Sequence, residues 1–159
     1  MSQEAMIFIQ TAAIVISALA AVVLVLQSRS QTKRRATVEM ILTMRMDNDY
    51  ITLRNKFTKL IKTEKNLAQY ASEQLRKDEN YMVILRVLNY YEFIATGIFE
   101  KAFDEEVCKR MTYNMCMRDW ERLSDFVYQI RTSEKMPTLF QEYELLVRTW
   151  YRKPLMKRF

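Results

Sequence analysis

The side chains able to do acid–base or covalent chemistry are few and scattered. His is absent from all 159 residues, which removes the usual general base near neutral pH and the commonest transition-metal ligand. Cys108 and Cys116 lie in one helical stretch. Two helical turns put them on roughly one side but hold them beyond disulfide reach. Their spacing matches neither a zinc nor a redox motif, and they read as reduced, packed thiols. Asp104-Glu105-Glu106 is a dense acidic run, but a cap followed by acids suits the positive end of a helix dipole without any hydrolase chemistry. Asn89 and Glu92, three apart, share one face of an apolar helix. A buried carboxylate there needs a partner, which Arg86 or an Arg from another helix can supply. The expectation is a polar network that fixes helix register, with a binding pocket as the alternative. No catalytic residue, metal-ligand set or cofactor is expected. Tyr, Lys, Asp and Glu can catalyse without His, but nothing gathers them, and an enzyme is the least expected class.

These residues are carried by helices. One Gly and two Pro argue against a turn-rich sheet protein, and 28% charged with 50% hydrophobic residues excludes wholesale disorder. Helical spacing predicts a stretch at 33–46 with Val38, Ile41 and Leu42, interrupted by Asp47-Asn48-Asp49, which can cap the next helix. That helix buries Leu53, Phe57, Leu60 and Ile61 and turns Arg54, Lys56, Lys59 and Lys62 to a basic outer face. Leu67, Tyr70, Ala71 and Leu75 point inward from a shorter helical stretch. Tyr81 to Phe99 is the most apolar part outside the N-terminal segment, with Ile84, Leu88, Tyr91, Ala95 and Ile98 on one stripe. Tyr81, Met82, Leu85, Val87 and Phe93 broaden it nearly all round, as in a central helix. Gly97, the only Gly, allows close helix contact or loosens the helix end. Val107, Met111 and Met115, then Trp120, Leu123, Val127 and Ile130, continue the pattern. Leu139, Tyr143, Leu146 and Trp150 form a last amphipathic helix limited by Pro154.

Met6 to Leu26 carries no formal charge. A helix of that length rises about 30 Å, one hydrocarbon core. A cleaved signal peptide is disfavoured, because no Lys or Arg precedes the run and no small-x-small signal closes it. Arg29, Lys33, Arg34 and Arg35 follow it, so the positive-inside rule places the larger part in the cytoplasm of a bacterial-type inner membrane, with the N-terminus outside. The same four residues can hold anionic lipid headgroups. Ala13, Ser17 and Ala21 recur every four residues, a small-residue stripe that lets membrane helices approach closely. The expected organisation is a short outer segment (1–5), a transmembrane helix (6–26), a basic juxtamembrane segment (27–35), a compact all-α cytoplasmic bundle (36–151) and a basic tail (152–159). Arg152, Lys153, Lys157 and Arg158 of that tail form a second contact for lipid or polyanions.

The passage from Arg34 to Trp150 resembles the bacterial and phage membrane-anchored family known as domain of unknown function 4760. The likeness rests on Arg34-Arg35-Ala36-Thr37 after the apolar helix, Leu88-Asn89-Tyr90-Tyr91-Glu92, Ile94-Ala95, Gly97-Ile98 and Phe103-Asp104-Glu105. The Trp120 helix, Arg131 and Tyr143-Glu144-Leu145 before Trp150 add to it. The resemblance implies an inner-membrane helical protein, and a structural or binding feature shared at Asn89, Glu92, Gly97 and Asp104. It brings no reaction, cofactor or catalytic residue.

The function expected is a membrane-anchored interaction or scaffold subunit. Its partners are the lipid bilayer and either copies of itself or another membrane-associated protein. A membrane effector or channel subunit in phage exclusion or bacterial defence is the alternative. A nucleic-acid tether, suggested by a net charge of +6, ranks third, because the basic flank already has a topological use.

Overall fold

The computed structural model describes residues 3–157, without the side chains of Ala5 and Ile9. Met1 and Ser2 of the outer segment, and Arg158 and Phe159 of the basic tail, lie outside the described residues. The elements are α1 (Gln3–Met46), α2 (Asn48–Thr63), two short 3₁₀ turns (Leu67–Ala71 and Glu73–Leu75), α3 (Glu79–Phe99), α4 (Glu105–Glu134) and α5 (Gln141–Arg152). Among the described residues there is no strand.

Local chemistry sets the boundaries. Asp47, Asp78 and Asp104 accept from the backbone N–H groups of Tyr50, Asn80 and Val107 and cap α2, α3 and α4, each satisfying an orphan donor of a first turn. Lys135, in the left-handed region at φ 56°, closes α4. Between α2 and α3 the chain forms 3₁₀ turns rather than an α-helix, but Leu67, Tyr70 and Ala71 are buried as their apolar spacing requires.

α1 is unbroken from the apolar segment through the basic residues into the core. At 1.5 Å per residue its 44 residues extend about 65 Å. Only its last part packs on the domain, through Thr37 and Ile41, both fully buried, and the half-buried Met40 and Met44. Upstream, Met6, Ile7, Phe8, Ile14, Val15, Ile16, Leu19 and the run Val22 to Leu26 are all exposed. At about 1.5–3 kcal/mol for each large apolar side chain left in water, that surface is worth tens of kcal/mol.

Among the described residues, two helices, α1 and α3, are long and apolar enough to cross a membrane. They differ in surroundings. α3 buries Ile84, Leu88, Tyr91, Ile94 and Ile98 among its neighbours and is the centre of the domain. Its Met82 and Phe93 stay half exposed, so its apolar surface does not run the whole way round.

Side-chain contacts fix the directions. Thr37 meets Asp104 and Arg45 meets Met111, so α1 and α4 run parallel. Tyr81 meets Phe126 and Tyr91 meets Asp119, so α3 runs back along α4. Glu105 meets Trp150 and Cys116 meets Tyr143, so α5 also runs back. One end of the domain therefore gathers the start of α4 and the ends of α3 and α5 around residues 33–37 of α1.

Candidate functional site

The end of the domain nearest the apolar part of α1 is organised around Asp104. Its carboxylate accepts from the Val107 N–H at 3.0 Å, its own N–H donates to Thr37 Oγ1 at 2.9 Å, and Arg34 approaches its carboxylate at 3.7 Å. The Thr37 hydroxyl in turn donates to the Lys33 carbonyl. One residue thus caps α4 and fastens the basic part of α1 to it. Gly97 serves the same junction. α3 ends with Lys101 at φ 60° and the Phe103 N–H bonded to the Gly97 carbonyl. The Phe103 ring lies where a side chain at position 97 would begin, so a Cβ there collides with it.

Glu92 and Asn89 diverge. Glu92 accepts from the backbone N–H groups of Tyr143 (2.8 Å) and Glu142 (3.3 Å). α5 begins at Phe140, which sits at φ 58° and has no capping side chain. Glu92 therefore supplies from α3 the N-terminal cap that α5 lacks locally. Burial raises its pKa despite these two bonds. The expected partner was an Arg; the direct partners are backbone amides. Asn89 is exposed, on the wall of an open groove of about 680 Å³ between α1, α2 and α3. Met40, Met44, Tyr50, Tyr90 and Phe93 also line it. The Tyr90 hydroxyl is buried there without a well-formed hydrogen bond; burial and the neighbouring Tyr50 push its pKa far up. Asn89, Glu92, Gly97 and Asp104 do not converge: Gly97 and Asp104 share the junction, Glu92 holds α5, and Asn89 faces the groove.

The most buried ionic group is one the sequence reading passed over. Asp119 is fully buried on α4. Its Oδ2 accepts from Arg54 Nη1 and from the Tyr91 hydroxyl, both at 2.7 Å. Burial opposes the Arg54 charge, but Tyr91 and Asp119 outweigh it and its pKa rises. Arg54, expected on the basic outer face of α2, is turned inward because this carboxylate needs a cation. The signal was present: Asp119 falls in register with Cys108, Thr112, Cys116 and Leu123, the buried stripe of α4.

A second buried group joins Glu144 to Arg131 at 2.6 Å and to the Tyr128 hydroxyl at 3.1 Å. Burial alone would raise the Glu144 pKa, but bonds from Arg131 and Tyr128 leave it lowered. Cys108 and Cys116 are free and buried. Burial pushes the Cys108 thiol up to about 12 and Cys116 higher, which disfavours the reactive thiolate at both. Among the described residues, no cluster of His, Cys, Asp or Glu is placed to hold a metal ion.

On α1, Arg29, Arg34 and Arg35 are exposed and Lys33 half-buried, just beyond the apolar segment. Ala13, Ser17 and Ala21 are exposed along one side, and the Ser17 hydroxyl donates to the Ala13 carbonyl at 2.8 Å. At 3.6 residues per turn, these three fall within about 100° of Leu24, Val38 and Leu42. Thr37, Met40, Ile41 and Met44, which pack on the domain, lie on the opposite side. The small-residue stripe and the exposed aliphatic residues of the basal part thus share one outer face, with Gln31, Arg35 and Glu39 between them.

The architecture defines an all-helical domain carried on the end of one long helix whose other half is apolar enough to span a membrane. Within that class, the chain matches the family model described as Domain of unknown function (DUF4760) over residues 7–150, and it belongs to that family. No curated protein and no solved structure gives a significant match.

Proposed function

We propose that the chain is a membrane-anchored interaction subunit. α1 crosses the bilayer once, holds the helical domain against the cytoplasmic face, and pairs with a second copy along its outer face. The observation that carries this reading is the shared register of that face. Ala13, Ser17 and Ala21 permit close backbone approach within lipid. Ser28 keeps a following turn narrow on the same side, and exposed Val38 and Leu42 offer an aliphatic contact below. Arg35, also on that side, is paired with Glu39 of its own helix. The domain packs on the other side of α1 and does not obstruct the seam. Confinement to two dimensions raises the effective concentration of such contacts.

Arg29, Lys33, Arg34 and Arg35 support the cytoplasmic placement and a contact with anionic headgroups. Scaffolding is favoured over conduction by the polar groups of the apolar segment. The Thr11 and Ser17 hydroxyls donate to carbonyls of their own helix, which leaves Gln10 as the side chain suited to line a lumen.

The test is the mass of the full-length protein transferred directly from membranes into lipid nanodiscs. A homodimer is expected, with Ser17→Ile and Leu42→Glu shifting it to monomer. A monomeric wild-type chain would overturn pairing, and stoichiometric recovery with a different membrane protein would replace the second copy as partner.

A further inference from the structure

The fold brings a second basic segment to the end of the domain where α1 enters. Trp150 Nε1 donates to Glu105 Oε1 at 3.1 Å, and Lys109 Nζ donates to the Lys153 carbonyl. Both contacts hold the end of α5 beside the first turns of α4, and Asp104 of that same region is fastened to Thr37. Residues 152–157 therefore emerge on the side of the domain facing the apolar part of α1, although more than one hundred residues separate them in sequence from Arg35.

Their chemistry is that of an interfacial segment. Arg152, Lys153 and Lys157 are exposed, as is Lys101 in the nearby α3–α4 connection. None of the four forms an ion pair among the described residues. Tyr151 is 78% exposed and Met156 81%, so large apolar groups alternate with cations that can reach upward to phosphates. Acidic residues at this end are mostly engaged: Asp104 with Arg34, Glu105 with Trp150, Glu106 with Arg110. Glu100 remains exposed.

We infer that residues 151–157, with Lys101, dock on the anionic headgroups of the same leaflet that Arg29 to Arg35 face, giving the domain a second membrane contact beside its helical stalk. This rests on the reading of α1 as a spanning helix. A single spanning helix can tilt in the bilayer and carries the clamped domain with it; a contact at α5 fixes the tilt. Each Lys or Arg near an anionic surface contributes roughly a five-fold gain in partition, so neutralising three of them releases the segment.

The full-length chain carrying Met156→Cys is labelled with an environment-sensitive fluorophore; the buried native thiols leave position 156 as the reactive site. It is reconstituted in phosphatidylcholine, with or without phosphatidylglycerol, together with a lipid-borne quencher. A parallel Val22→Cys label, on the side of α1 away from the pairing face, reports the spanning segment. Quenching at position 156 is expected to rise several-fold with phosphatidylglycerol and to return to the phosphatidylcholine level in Arg152→Gln/Lys153→Gln/Lys157→Gln. Quenching at 22 with none at 156 on either lipid overturns the docking while leaving the anchor intact. No quenching at 22 overturns the anchor and the docking with it. A label at 156 that stays in water on both lipids but is shielded by added duplex oligonucleotide overturns the lipid assignment in favour of nucleic acid.

Discussion

The backbone N–H of Asp104 donates to the hydroxyl of Thr37 at 2.9 Å, across 67 residues of chain. Through this bond the helix that leaves the apolar segment is fastened to the first turn of the longest domain helix, whose cap is the same Asp104. The domain is clamped to its stalk at this point.

Thr37→Val keeps the shape and removes the acceptor. It is expected to cost about 1–2 kcal/mol, the desolvation penalty of an unsatisfied N–H. Asp104→Ala keeps that backbone donor but removes the α4 cap and the partner of Arg34, at a cost of about 1 kcal/mol. Thermal unfolding of the two single variants and the double variant checks this; the double should fall short of the sum, because both act on one junction.

Asp119→Ala strands the inward Arg54 guanidinium and the Tyr91 hydroxyl, with a cost of about 3–5 kcal/mol. Replacing both partners, Arg54→Met with Asp119→Leu, is expected to recover much of this loss, since the buried cation and anion disappear together. Chemical denaturation of the three proteins measures the difference.

Glu144 and Glu92 respond to pH in opposite senses. The folded-state pKa of Glu144 is lowered, so its contribution is present above the unfolded carboxylate range and fades as pH falls through the folded pKa. That of Glu92 is raised, so its contribution is complete below the unfolded pKa and is lost as pH rises through the folded one. Melting temperatures between about pH 3 and 7 should therefore climb less steeply for Glu144→Gln than for wild type, and more steeply for Glu92→Gln.

Gly97→Ala gains about 1 kcal/mol of helix propensity but drives Cβ into the Phe103 ring, an overpacking cost of about 1–3 kcal/mol. A net loss is expected in melting temperature. Adding Phe103→Leu should reduce the penalty attributable to residue 97.

The helices and their starts were legible because they depend on neighbours in sequence. Asp47, Asp78 and Asp104 precede periodic apolar runs and cap them, and the stripes of α2, α3 and α5 reproduce the 3.6-residue repeat. The partners of the ionic residues were not legible, because they depend on which helices meet. Arg54 looked like one cation of a solvated face until α4 placed Asp119 beside it. Glu92 called for an Arg, but the nearby start of α5, with Phe140 in a left-handed conformation, offered unsatisfied amides instead. Met82 and Phe93 remain half exposed, because among the described residues the neighbours of α3 pack on its other side. The outer face of α1 becomes visible only when the helix is continuous, since a break near residue 30 would have erased the register linking Ser17 to Leu42.

That register is tested most directly by disulfide scanning in native membranes, with single cysteines placed along α1 in the full-length chain. Crosslinking is expected to peak at positions 17, 21 and 24, to reappear at 38 and 42, and to be weak at 15, 19, 22 and 26 on the domain side. Peaks at the latter four positions, or uniform crosslinking without helical period, would contradict pairing through the outer face of α1.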